Sequence, residues 1–156
     1  MTHNNPKLAA KIALYQPDIP QNTASIIRTC SCLGALLEII EPCGFHTSDK
    51  RFKRVVMDYF DDSGIRFYKD EKHFFKSKEN ERIILMTTKA KKNYTDFKFK
   101  KNDTLLFGRE SCGVPKEIHK RLKYKLKIPM ISKTRSLNVS TSVSITMSEA
   151  IRQISC

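Results

Sequence analysis

Leu105-Leu106-Phe107-Gly108-Arg109-Glu110-Ser111-Cys112-Gly113-Val114-Pro115 runs from an apolar segment, through a loop bounded by two glycines, into a proline. It reads as strand, loop, helix. Thr104 to Phe107 has the character of a buried strand. Pro115 suits the first turn of a helix, where its missing N–H is not needed, and that helix should run to about Leu122. Glycine tolerates positive φ and lets backbone approach a ligand closely. The spacing of Gly108 and Gly113 invites comparison with a phosphate loop. Val114-Pro115 stands where such a loop needs Lys-Ser/Thr, which argues against an NTPase.

The same unit recurs in both directions. Ile12 to Tyr15 reads as a first strand, closed by Pro17 and Pro20. Asn22 then offers a side chain to cap a helix reaching Cys32, and Gly34 falls where a left-handed C-terminal residue is wanted. Leu36 to Glu41 is a near-continuous apolar strand. In Asp49 to Phe60 the apolar Phe52, Val55, Val56, Tyr59 and Phe60 recur at helical spacing. Ile65 to Tyr68, Arg82 to Thr87 and Tyr124 to Ile128 read as further strands. Asp70 to Lys78 and Asn138 to Ile154 read as helices, and Lys89 to Asp103 as a basic, turn-rich connection. Strands alternating with helices predict a single α/β domain with a mostly parallel sheet and helices on both faces.

Composition bounds the function. The 156 residues are 40% hydrophobic and 29% charged, enough for one domain with a real core and too apolar for a disordered chain. No apolar run approaches the roughly 20 residues of a membrane span. Met1 to Leu8 is polar, without the apolar core of a secretory signal. Five cysteines without paired spacing do not form a secreted disulfide framework, and a cytoplasmic protein is expected. Twenty-nine Lys and Arg against sixteen Asp and Glu leave a net charge of +13. An excess that large favours a polyanionic partner, nucleic acid first.

Ligand sites in such folds lie at the carboxyl ends of strands, which directs attention to two more stretches. Ile128-Pro129-Met130 leads into Arg135-Ser136-Leu137-Asn138-Val139-Ser140-Thr141-Ser142, where hydroxyl and amide groups outnumber what helix capping needs. Pro17-Asp18-Ile19-Pro20-Gln21-Asn22 precedes Arg28, about two helical turns on. Lys50-Arg51-Phe52-Lys53-Arg54 is either a solvated helix face or a phosphate-binding one. Cys30 and Cys32 point to different faces of a helix and, with Cys43 and His46, lack zinc spacing. Cys112 has no histidine nearby in sequence and reads as loop filling rather than a nucleophile.

Together these stretches resemble the three motifs of the SPOUT superfamily of S-adenosylmethionine-dependent RNA methyltransferases. Within it the chain is most similar to the small TrmL-type branch that methylates the ribose 2′-OH of tRNA position 34. The resemblance runs from Ile12 to Gln153. It includes Leu14-Tyr15-Gln16-Pro17-Asp18-Ile19-Pro20-Gln21-Asn22-Thr23, Ile40-Glu41-Pro42-Cys43-Gly44-Phe45, Asp49-Lys50-Arg51, Asp58-Tyr59 and Thr87-Thr88-Lys89. It implies a C-terminal trefoil knot, against the general rarity of knots, and a domain over residues 11–156 behind a flexible extension at 1–10.

The resemblance also implies roles. Met86, Gly108, Ile128 and Ser136 should border the bound S-adenosylmethionine, with S-adenosylhomocysteine as product and no metal. Arg28, Asn22, Glu110 and Asn138 match active-site positions. Arg51, Arg54 and Arg135 are expected phosphate contacts to the tRNA anticodon stem-loop, and a homodimer is expected. Arg28 matches a residue often assigned as general base, but a guanidinium stays protonated, so its expected role is to orient a phosphate and polarise the hydroxyl, with Asn22 holding the loop. The chain departs from its relatives at Ala24, Ser25, Cys112, Thr141 and Ser148, departures that bear on tRNA choice and catalytic efficiency rather than on the cofactor. A non-catalytic basic RNA-binding module of the same fold and a base methyltransferase are the competing readings.

Overall fold

The computed structural model describes residues 10–59, 64–131 and 136–155. Seven strands form one sheet: β1 (Lys11–Tyr15), β2 (Leu36–Ile40), β3 (Ile65–Tyr68), β4 (Ile83–Met86), β5 (Lys92–Asn93), β6 (Thr104–Phe107) and β7 (Tyr124–Lys127). The order across the sheet is β3-β2-β1-β6-β4-β7-β5, and every pairing is parallel. The helices are α1 (Pro20–Leu33), α2 (Lys50–Tyr59), α3 (Glu71–Ser77), α4 (Lys116–Arg121) and α5 (Val139–Ile154).

The central strands alternate their side chains between two cores, as the pleat requires. Ile12 and Leu14 join Ile26 and Ile27 of α1, Phe52 of α2 and Val143 and Met147 of α5 on one face. Ala13 and Tyr15 join Phe74 and Phe75 of α3 and Ile118 of α4 on the other. The expected α/β sheet with helices on both faces is what forms.

Local corrections have local causes. Asn22 does not cap α1: the helix starts earlier, at Pro20, with Ile19 as its first flanking residue and no side-chain cap. Pro20 presets the helical φ, which leaves the Asn22 side chain free for tertiary bonds. Pro115 likewise lies just outside α4, which begins at Lys116. Lys89 to Asp103 contains the two-residue edge strand β5 and a 3-10 turn, Tyr94–Asp96. Gly34 is left-handed at φ 75°, as expected. Asp49 accepts from the backbone N–H of Arg51 at 2.8 Å at the entry to α2. Residues 1–9, Phe60 and Arg135 lie outside the described residues, while Ala10, assigned above to the extension, is already buried against the domain.

Candidate active site

The loops after β4, β6 and β7 converge with the start of α1 on a cleft of about 530 Å³ at the carboxyl ends of the strands. The β6 loop closes on itself. Arg109 N–H donates to Gly113 O at 3.2 Å, and Gly113 N–H donates back to Arg109 O at 2.8 Å. A Cβ on Gly108 would lie 2.6 Å from Gly113 Cα, while Gly113 faces open space but sits at φ +69°. The two glycines therefore serve the turn. The space a side chain at Gly108 would need is filled by the loop's own backbone, so the turn itself requires glycine there.

A chain of side chains crosses the cleft. Asn138 Nδ2 donates to Asn22 Oδ1 at 2.9 Å, and Asn22 Nδ2 donates to Glu110 Oε1 at 3.4 Å. Glu110 Oε2 accepts from the backbone N–H of Asp18 at 2.9 Å. Asn138 is also the N-cap of α5, its Oδ1 accepting from the N–H groups of Ser140 and Thr141. One amide thus caps a helix and ties it to α1. Ser140 Oγ donates to Ser25 Oγ at 2.8 Å, so part of the polar surplus in this stretch serves helix contact.

Asp18 completes the cluster. Ser111 Oγ donates to its Oδ2, and Arg109 Nε lies 3.5 Å from the same atom. Gly44 backs the loop: a Cβ there would come within 2.5 Å of Asp18 Cβ. The hydrogen bond with Glu110, then Ser111 and Arg109, hold the Asp18 carboxyl below the usual range. Burial and the Asp18 carboxyl push Glu110 up. The two carboxyls are thereby driven apart, Asp18 toward the ionised form and Glu110 toward the protonated one.

Met86, Gly108, Ile128 and Ser136 all line the cleft, together with Asn22, Glu110 and Asn138. Arg28 does not. It is exposed on α1, its guanidinium carbon 5.7 Å from the centre of the Tyr59 ring. Arg51 and Arg54 are exposed on α2. Cys30 is buried, which pushes its thiol up to about 12. Cys32 is exposed, and the described residues hold no group of metal-ligating side chains. Sequence reading gave Asp18 no role and missed His119, which α4 presents to the cleft wall. Its Nε2 is buried with no hydrogen-bond partner among the described residues. Burial, then Lys125 and Lys89, lower its pKa. No motif marks His119; only the packing of α4 brings it there.

A parallel sheet covered on both faces, with a polar cleft where strands give way to helices, is the layout of an α/β enzyme that binds a nucleotide-like ligand. The family is more definite. The model of the SpoU rRNA Methylase family matches residues 9–148, and the chain belongs to that family. The tRNA (cytidine(34)-2'-O)-methyltransferase of Beijerinckia indica is 43% identical over 145 residues, 92% of this chain and 91% of the relative. A structure from work on the 2-OH methylation of C/U34 on tRNA superposes with TM-score 0.85 at 35% identity, covering 92% and 95% of the two chains. The SpoU methyltransferase AviRb from Streptomyces viridochromogenes, solved in complex with the cofactor AdoMet, shares the fold at TM-score 0.80 and 22% identity, covering 94% and 60%.

Proposed function

We propose that the protein transfers the methyl group of S-adenosylmethionine to the ribose 2′-OH of the wobble nucleotide, cytidine or modified uridine 34, of tRNA in the cytoplasm. The observation that carries this is the convergence of three separate loops and the start of α1 on one cleft, crossed by the Asn138–Asn22–Glu110 chain. Near full-length similarity to relatives named for that reaction supports it.

The residues present fit an adenosyl donor. A cleft of about 530 Å³ is in the range that encloses a cofactor-sized ligand. Met86 and Ile128 offer backbone polar groups and apolar walls at strand ends, Leu85 and Val114 add apolar surface, and Ser136 adds a hydroxyl. When bound, the donor supplies an activated cationic methyl group, and S-adenosylhomocysteine leaves. The chain's own part is alignment. Asn22 and Asn138 fix each other's amides beside the cleft, and Glu110 holds both Asn22 and the Asp18 backbone N–H.

Arg28 stands outside the cleft on the same helix as Asn22, where it would hold a phosphate of the bound RNA. Arg28→Lys is expected to fold and bind donor normally yet lose most methyl transfer, because a lysine does not reproduce the planar fork. Full turnover in that variant would exclude the role. Arg51, Arg54 and Arg135 are proposed phosphate contacts. Replacing Arg51 and Arg54 by glutamine should weaken tRNA binding and reduce its salt slope by about one per residue, read from titrations at several salt concentrations; an unchanged slope would contradict the assignment.

A homodimer belongs to the same reading. The exposed Ile19, Met130, Ile131 and Leu137 supply apolar surface around the mouth of the cleft. The C-terminal knot is supported by the insertion of β6 between β1 and β4, and of β7 between β4 and β5. The reaction is tested by incubating the protein with labelled S-adenosylmethionine and total tRNA, then mapping the product nucleoside. A 2′-O-methylated residue at position 34 is expected. Label in a base, or none at all, would favour base methylation or a non-catalytic RNA-binding module.

A further inference from the structure

The segment from Lys116 to Lys127 carries Lys116, Lys120, Arg121, Lys123, Lys125 and Lys127 against one acid, Glu117. The fold gathers most of these cations on one surface. Leu126 and Tyr124 of β7 pack into the core shared with α1 and α5, so Lys125 and Lys127 point to the opposite face of the sheet. There α4 turns Ile118 and Leu122 inward. Helical spacing sets Lys116 and Lys120 on its outer side, and both are exposed, whereas Lys123, just past its end, turns its ammonium to within 5.4 Å of the centre of the Tyr124 ring. Lys89 reaches the same region from the β4 loop: it lines the cleft, and it and Lys125 both act on His119.

None of Lys89, Lys116, Lys120, Lys123, Lys125 and Lys127 forms an ion pair among the described residues. Lysines elsewhere are paired where structure needs them, as Lys11 and Lys78 are with Glu81. Uncompensated like charges on one surface repel each other unless a polyanion covers them. This surface also lies away from α2, which packs on the other face and joins β2 to β3 at the far side of the sheet.

We infer that the α4–β7 surface is a second RNA-binding surface, holding the sugar-phosphate backbone of the strand whose nucleotide enters the cleft. The inference rests on the RNA reading above and adds a surface that the motif arginines do not include. A strand delivering one nucleotide to the cleft carries neighbouring phosphates past Lys89, and the α4–β7 lysines continue the positive track beyond that rim.

The test compares two triple variants of the full-length protein for tRNA binding by fluorescence anisotropy across salt concentrations. Lys116→Gln, Lys120→Gln and Lys127→Gln together remove charge from the proposed surface. Lys98→Gln, Lys100→Gln and Lys101→Gln remove the same charge beside the opposite, amino-terminal end of β6. The first triple is expected to raise the dissociation constant about tenfold or more and to reduce the salt slope by about 2–3. The second should stay near wild type. Calorimetric binding of S-adenosylhomocysteine at wild-type affinity shows that the first triple is folded. Equal losses in both triples would reduce the effect to net charge and overturn the inference, as would a wild-type salt slope in the first. Absence of tRNA binding by the wild-type protein would instead overturn the RNA reading itself.

Discussion

Lys78→Met is expected to destabilise the fold by about 3–5 kcal/mol, the cost of leaving a buried charge without its partner. Glu38 lies within β2 and is fully buried. Lys78 Nζ donates to its Oε1 at 2.6 Å, and Tyr68 Oη donates to its Oε2 at 2.6 Å. Lys78 is itself buried and also reaches Glu81 Oε2 at 3.2 Å, which Lys11 holds from the other side at 2.9 Å. Removing the ammonium strands a carboxylate in an apolar layer beneath α3. A domain whose whole stability is on the order of 5–15 kcal/mol loses a large share of it. Urea denaturation midpoints measure the effect. The double variant Glu38→Gln, Lys78→Met should recover much of the loss, because the stranded charge is gone; a double variant as unstable as the single one would show that packing, not charge, is responsible.

The second large effect falls on the cleft. Gly108→Ala places a methyl group 2.6 Å from Gly113 Cα and 3.0 Å from the Val114 nitrogen, backbone atoms that cannot swing aside. The loop must open, breaking the reciprocal bonds between Arg109 and Gly113, at a cost of about 1–3 kcal/mol for overpacking. Donor affinity is expected to fall more than tenfold, because this loop carries Glu110 and forms one wall of the cleft. Gly113→Ala is the informative comparison. It meets no neighbour and suffers only the left-handed backbone penalty, about 1–2 kcal/mol. Calorimetry with S-adenosylhomocysteine should therefore rank wild type above Gly113→Ala and Gly113→Ala above Gly108→Ala. The reverse order would reject the steric account.

What the sequence made legible was whatever periodicity and breakers encode. Leu36 to Glu41 announces a buried strand, Gly34 a helix end and Asn138 a helix start, and each forms, the strand ending one residue early at Ile40. The start of α1 was misplaced because Asn22 looks like a cap, whereas Pro20 determines where the helix begins. β5 is too short and too polar to show alternation, so only its register with Leu126 and Lys127 defines it. Glu38 was read inside an apolar run because its partner Lys78 stands forty residues away. The site shows the same division. Met86, Gly108, Ile128 and Ser136 were reached through motifs, and they meet at one cleft. Asp18 and His119 were not, since their importance comes from Glu110 lying against one and α4 carrying the other to the wall. Arg28 shows the converse: the motif marks it, while the fold leaves it on the outer surface of α1.

Titration calorimetry of the wild-type protein with S-adenosylhomocysteine tests the central claim most directly, because every role assigned to the cleft presupposes an adenosyl ligand. Saturable binding is expected, with affinity sharply reduced by Gly108→Ala and unaltered by Lys98→Gln on the remote surface. A flat titration, or binding indifferent to Gly108→Ala, would contradict the claim that this cleft holds the methyl donor.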